Sequence, residues 1–265
     1  MQKKLDYRES HTAEDKGNSY QKAFLEMNYR KYIWSWEKRI LNEIIKKYLV
    51  DNKNIRYLDF ACGTGRIIGF LEKNMSESIG IDISESMLKI ALENLKKSKI
   101  INVDITRKNI FKDNYFDIIT AFRFFLNAQP ELREEAFTVI SKILKQEGYF
   151  VFNVHLNKTS IFFRLAKLYR KFKGLDSEVN AVTIKEVSQL VEKTGLQIIS
   201  TYHFGLIPIF NNNTKIPIWL ISPFDEFASK ISFCKYFSKN LIFLCKKKRI
   251  VCDILPGINA GASGG

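Results

Sequence analysis

Tyr57-Leu58-Asp59-Phe60-Ala61-Cys62-Gly63-Thr64-Gly65-Arg66 closes one strand and opens one helix. Ile55, Tyr57, Leu58 and Phe60 form a short apolar run of the buried-strand kind. Ala61 to Gly65 suits neither strand nor helix. From Arg66 to Lys73, Ile67, Ile68, Phe70 and Leu71 supply the apolar positions of a helix. A glycine turn between strand and helix leaves bare backbone N–H groups at a helix start, open to a ligand. The plainer alternative is an ordinary strand-to-helix turn that uses two glycines, and the residues downstream weigh against it.

Ser78-Ile79-Gly80-Ile81-Asp82 reads as a second strand ending in a carboxylate, 23 positions beyond Asp59. An acid at the end of the second strand of a βαβ unit is placed to take the two ribose hydroxyls of a nucleoside. The glycines run Gly63-x-Gly65-x-x-x-Gly69 rather than G-x-G-x-x-G, which argues against a nicotinamide dehydrogenase. Asp59 puts a second acid at the end of the first strand, where it can hold a ligand's ammonium group directly or through water.

LDFACGTGR, then GIDIS with SML behind it, then VDI, then FDIITAFRFFLN, spread over roughly residues 55–155, resemble the class I S-adenosylmethionine-dependent methyltransferases. The resemblance implies an α/β fold with a Rossmann-like, doubly wound, seven-stranded and mostly parallel sheet. It implies S-adenosylmethionine as cofactor and gives roles to the matching residues. Gly63 and Gly65 let the backbone approach the methionyl part, and Asp59 anchors its ammonium side. Asp82 holds the ribose, Ile83 and Met87 flank the adenine, and Phe122 borders the same site. Asp104 accepts from the adenine amino group, with Ile105 offering its N–H; the alternative for Asp104 is a loop cap. Ala61 stands where the family's first loop glycine usually sits, which is tolerated if its φ is negative.

The chain has 265 residues, 46% hydrophobic and 13% aromatic, enough for one large α/β domain with additions or for two small domains. Four scattered cysteines without C-x-x-C, and no histidine cluster at metal spacing, point away from disulfides and from any metal and fit a reducing cytoplasm. The charged N-terminus lacks the apolar core of a secretory leader, and no run of eighteen apolar residues occurs. Net charge is +14, and residues 158–265 carry 16 Lys/Arg against 7 Asp/Glu. That basic surface suits anionic partners such as nucleotide-linked sugars, nucleic acid or anionic lipid. A compositional bias toward Lys, Ile and Asn would give the same excess.

Taken in order, residues 1–50 form an N-terminal helical lid. Lys22 to Val50 is its helix, and Tyr20, Tyr29, Tyr32 and Trp36 either line the lid or anchor the helix on the sheet. Residues 51–155 form the cofactor-binding core. Its strands are Ile55–Phe60, Ser78–Asp82, Ile100–Asp104, Phe116–Ala121 and Gly148–His155, with Ser84 capping a helix over Glu85–Lys97 and Pro130 starting another to Leu144. Thr183 and Glu186 form a capping box, and Gly195 ends that helix. Strands Gln197–His203 and Asn240–Lys246 complete an alternating pattern that implies a parallel, doubly wound sheet. Two insertions interrupt it: 156–182 holds a basic amphipathic helix, and 204–239 is aromatic and proline-containing. Both are expected to pack together as a cap over the carboxyl edge. Residues 251–265 are a tail, small and featureless from Gly257.

In an open α/β sheet, ligands gather at the carboxyl ends of the strands. There the stretch Phe122-Arg123-Phe124-Phe125-Leu126-Asn127 faces the acceptor side. Arg123 is either an anion-binding residue or a salt-bridge partner, and His155 is either the general base or a hydrogen-bonded loop histidine. His203 ends the next strand and is second in line; His11 lies in the N-terminal stretch. FRFFLN with FNVHLN resembles the methyltransferase subgroup that accompanies bacterial surface-polysaccharide and sugar pathways. The expected activity is therefore methyl transfer to a small-molecule acceptor, anionic in character, on a sugar hydroxyl of a nucleotide- or lipid-linked glycan. The expected setting is cytoplasmic, with peripheral membrane contact through residues 158–173. The alternatives are an RNA or protein methyltransferase and a non-catalytic binding protein of the same fold. An N-P-P-Y-type motif is missing after strand four and no separate RNA-binding module is visible, which leaves nucleic acid the weaker partner.

Overall fold

The computed structural model describes residues 7–10, 27–49, 54–174, 180–207 and 218–248. His11, Tyr20 and the tail 251–265 lie outside these residues. Seven strands run β1 Arg56–Phe60, β2 Glu77–Asp82, β3 Lys99–Asn102, β4 Phe116–Ala121, β5 Leu144–Val154, β6 Leu196–Phe204 and β7 Asn240–Lys247. Their order in the sheet is β3-β2-β1-β4-β5-β7-β6. All neighbours are parallel except those of β7, which is antiparallel to both β5 and β6. The seven-stranded, mostly parallel expectation matches. The order in which successive strands are laid down reverses between β1 and β4, and the crevice at such a switch point is where open α/β sheets bind ligands.

β1 and β4 are covered on both faces, which explains their near-continuous apolar runs. The helices are α1 Tyr7–Ser10, α2 Asn28–Tyr48, α3 Arg66–Leu71, α4 Glu85–Asn94, α5 Pro130–Ile143, α6 Ile161–Phe172, α7 Ile184–Lys193 and α8 Ile218–Ser229. One face of the sheet packs α5 and α7 through Phe137, Ile140, Val187 and Val191. The other packs α2, α3, α4 and α8 through Trp36, Leu41, Ile68, Leu88 and Ile221. Trp36 stacks on Phe204 at 5.3 Å, with the Arg39 guanidinium over its ring at 3.7 Å. Tyr29, Tyr32 and Trp36 are buried, so the aromatic face of α2 anchors it on the sheet.

Some boundaries differ from expectation, each for a visible reason. α4 stops at Asn94 rather than Lys97 because the Glu72 carboxylate accepts hydrogen bonds from the N–H groups of Lys96, Lys97 and Ser98. Ser84 stands at the N-cap position of α4, yet its hydroxyl meets Ser86 and caps nothing. β3 ends at Asn102, since Asp104 turns the chain by accepting from the Thr106 N–H and hydroxyl. The capping box of Thr183 and Glu186 is present, and Gly195 follows α7 at φ 74°.

The two insertions leave from the same edge of the sheet, after β5 and after β6. Asn157 ties them by donating to the carbonyls of Lys235, Tyr236 and Ser238. The Ile161 N–H donates to the Phe237 carbonyl. α8 turns back onto the sheet face, where Asp225 accepts from the N–H groups of Gly205 and Leu206 and from the Tyr32 hydroxyl.

Candidate active site

The loop after β1 is left-handed at three positions: Ala61 at φ 55°, Gly63 at 55° and Gly65 at 79°. The negative φ expected of Ala61 is thereby overturned; an alanine occupies a conformation that costs an L-residue roughly 1–2 kcal/mol. The two glycines do different work. A Cβ on Gly65 would meet the Ala91 Cβ at 3.2 Å and the Leu95 Cδ1 at 3.3 Å, so Gly65 lets α3 start close against α4 and does not line the cleft. Gly63 faces the cleft, 3.4 Å from the Met87 sulfur by the same measure.

Three carboxylates border this loop. Asp59 is 1% exposed. It accepts from the Thr120 hydroxyl at 2.6 Å and from the Ile68 N–H at 3.1 Å. Burial pushes its pKa up to about 7, against the pull of those hydrogen bonds. Asp82 accepts from the Gly63 N–H at 2.8 Å and the Ser84 N–H at 2.9 Å, and burial again raises it. Asp104 accepts from the Arg8 Nε at 2.7 Å. Its burial is outweighed by hydrogen bonds from Thr106 and Arg8, which hold its pKa below the usual value. The loop-cap reading of Asp104 is thus visible in its bonds to Thr106, alongside its place on the cleft wall.

The predicted residues sort into two adjoining clefts that share Tyr7, Ala61 and Asp82. The first is walled by Ile83, Asp104 and Ile105, with Tyr7 and Arg8 of α1 closing it. The second holds about 340 Å³ and takes in Asp59, Gly63, Met87, Phe122, Arg123 and His155. Tyr7, Arg8, Arg30, Arg66 and Asn127 also line these clefts. Among them Arg66 and Asn127 stood in stretches singled out from sequence; Tyr7, Arg8 and Arg30 arrive through long-range packing.

The far end of the second cleft is positively charged. Arg123 sits at φ 64°, with its N–H donating to the Asn153 Oδ1 at 2.7 Å. Asn153 donates to the buried Glu37, whose other oxygen meets Arg66 at 2.5 Å. This chain joins α2, α3, β5 and the loop after β4, and nothing in the local sequence announced it. The His155 Nδ1 is buried without a hydrogen-bond partner. Burial first, then the charges of Arg123, Lys239 and Arg30, hold the His155 pKa well below its ordinary value. Lys239 lies over the rings of Phe162 and Tyr29, and burial with the Arg123 charge lowers it to about 8. His203 is elsewhere: it is 4% exposed and its Nδ1 meets the Ser238 hydroxyl at 3.2 Å. It does not line the cleft, so it drops out as second candidate base.

The cleft therefore sets two buried carboxylates beside guanidinium groups, with bare backbone at Gly63. A ligand with an ammonium group, a carboxylate and a vicinal diol fits that donor set. The sequence profile of a methyltransferase domain matches residues 51–201. The uncharacterized protein MJ1252 of Methanocaldococcus jannaschii is 30% identical over 229 residues, 77% of this chain and 80% of its own length. Among solved structures, magnesium protoporphyrin IX methyltransferase of Synechocystis with bound SAH superposes with a TM-score of 0.62 at 10% identity, over 92% of this chain and 100% of that one. A SAM-dependent methyltransferase from Archaeoglobus fulgidus gives 0.52 at 20% identity, over 79% and 94%. At such identities the two structures speak for the fold.

Proposed function

This chain belongs to the class I S-adenosylmethionine-dependent methyltransferases, and from that premise we propose that it methylates an anionic small-molecule acceptor at a sugar hydroxyl of a nucleotide- or lipid-linked glycan. S-adenosylmethionine brings an electrophilic methyl group on a sulfonium, so the protein has to align the acceptor, exclude water and take one proton. On this reading Asp59 holds the cofactor's ammonium group and Asp82 its ribose. Gly63, Ala61, Met87 and Phe122 line the path between. Ile83, Asp104 and Ile105 take the adenine. Gly65 serves by letting α3 start in place.

The observation that carries the acceptor class is the set of charges around His155: Arg123, Lys239 and Arg30. Burial first, and then these charges, keep the imidazole neutral, hence able to accept a proton, but a weak base. An anionic acceptor lying among them would offset their field and raise the basicity of His155 when it is needed. With the cofactor bound, attack by the acceptor oxygen on the methyl carbon would break the methyl–sulfonium bond, leaving its electron pair on the thioether sulfur of the departing product, and the acceptor's proton would pass to the His155 imidazole. Arg123 orients the anion and cannot serve as base.

The test is transfer of labelled methyl to a panel of nucleotide sugars and phosphorylated glycolipids, each beside its dephosphorylated counterpart. The phosphorylated member should be preferred, and Arg123→Ala should raise its Michaelis constant with little change in cofactor affinity. Equal use of charged and neutral acceptors would remove the anionic class.

A further inference from the structure

α6 presents its apolar stripe to solvent. Leu165, Leu168, Tyr169 and Phe172 fall at i, i+3, i+4 and i+7, the spacing that normally faces a core. They are 42%, 53%, 60% and 85% exposed, and no residue of this helix is buried. Beside it, Trp219, Phe224 and Phe227 of α8 and Phe233 of the following turn are 65–71% exposed. The two patches are continuous. Phe233 packs on Phe237 at 5.2 Å, Arg164 of α6 lies over that same ring, and the Ile161 N–H bonds the Phe237 carbonyl.

Exposed apolar area of this extent on a described surface marks a contact site. Its charge decides which kind. Residues 158–173 contain Lys158, Arg164, Lys167, Arg170, Lys171 and Lys173 and no Asp or Glu. Protein interfaces are depleted in lysine. Lysine and arginine around a Phe, Leu, Tyr and Trp face is instead the composition of helices that lie in the headgroup layer of a bilayer. No helix among the described residues is long and apolar enough to cross a membrane. We propose that α6, α8 and the turn at 232–236 form a surface that docks on an anionic lipid bilayer. The surface borders the acceptor end of the cleft, since Phe162 of α6 carries Lys239 over its ring at 3.8 Å. Docking on a bilayer does not depend on which acceptor is methylated.

The experiment is sedimentation of the full chain with vesicles of phosphatidylcholine alone and of phosphatidylcholine mixed with phosphatidylglycerol. The protein should pellet with the mixed vesicles, and less so as salt rises. The doubly substituted Lys167→Glu/Lys171→Glu should weaken that partitioning by at least ~30-fold, given the worth of basic side chains near an anionic surface. Leu168→Ser/Phe172→Ser should weaken it as well. All four of these side chains are exposed, and retained cofactor affinity checks that each variant is folded. Failure to pellet with either vesicle overturns the proposal. So does binding that ignores both double substitutions. Self-association abolished by the serine variant, without vesicle binding, would assign the surface to a second copy of the chain instead.

Discussion

Ala61 carries a β-carbon at φ 55°, a left-handed conformation that is strained for any residue but glycine. Replacing alanine by glycine at a negative-φ position costs roughly 0.4–1 kcal/mol. Here the sign should reverse: Ala61→Gly should leave thermal stability unchanged or raise it, by up to about 1 kcal/mol. A clear drop in melting temperature would mean the loop does not hold this conformation. Asp59 makes a second prediction. With its pKa at about 7, the ligand-free site is only partly ionised at neutral pH. A bound ammonium group needs the carboxylate, so cofactor affinity should rise between about pH 6 and 8 and then level. The stability of the ligand-free protein should move the other way. The folded pKa lies above the ordinary carboxyl value, so the unfolded chain ionises first. This group's contribution is then fully present below that ordinary value and lost as pH rises through about 7. Calorimetric titrations and melting curves across that range check both directions.

At the scale of elements, what was legible is what repeats locally. The alternation of apolar strands and helices, the glycine loop, the acids closing β1 and β2 and the capping box at Thr183 are all short-range signals, and each placed its element within a few residues. What escaped depends on partners far along the chain. Arg8 reaches Asp104 across 96 positions, and Glu37 reaches Asn153 across 116. No periodicity encodes such pairs, so a lid over 1–50 was legible but the Arg8–Asp104 contact that closes it and the polar chain under Arg123 were not. The same chain explains why α2 adheres to the sheet with a charge at its centre. Glu37 is fully buried and serves both Arg66 and Asn153. Removing one partner of such a pair leaves the other charge unbalanced, so Glu37→Ala should lower stability by about 3–5 kcal/mol in chemical denaturation. A loss under about 1 kcal/mol would show that Arg66 is adequately solvated without it.

Across the whole molecule, one sheet edge collects the chemistry. The cofactor loop leaves β1, Arg123 leaves β4, His155 leaves β5, and the insertions after β5 and β6 bring Lys239 and the exposed aromatic surface to the same end. Arg30, Arg123 and Lys239 gather around His155 at that end, a positive field that would draw anionic acceptors toward the cleft. Everything in this arrangement depends on the loop at 61–65 and Asp82 being the cofactor site. Calorimetric titration of S-adenosylmethionine into the protein and into Asp82→Ala tests this most directly. The account predicts saturable one-site binding to the unaltered chain. In the variant it predicts affinity weaker by about 1.5–3 kcal/mol, roughly tenfold to over a hundredfold. Equal affinity in a folded Asp82→Ala protein would contradict it and place the cofactor elsewhere.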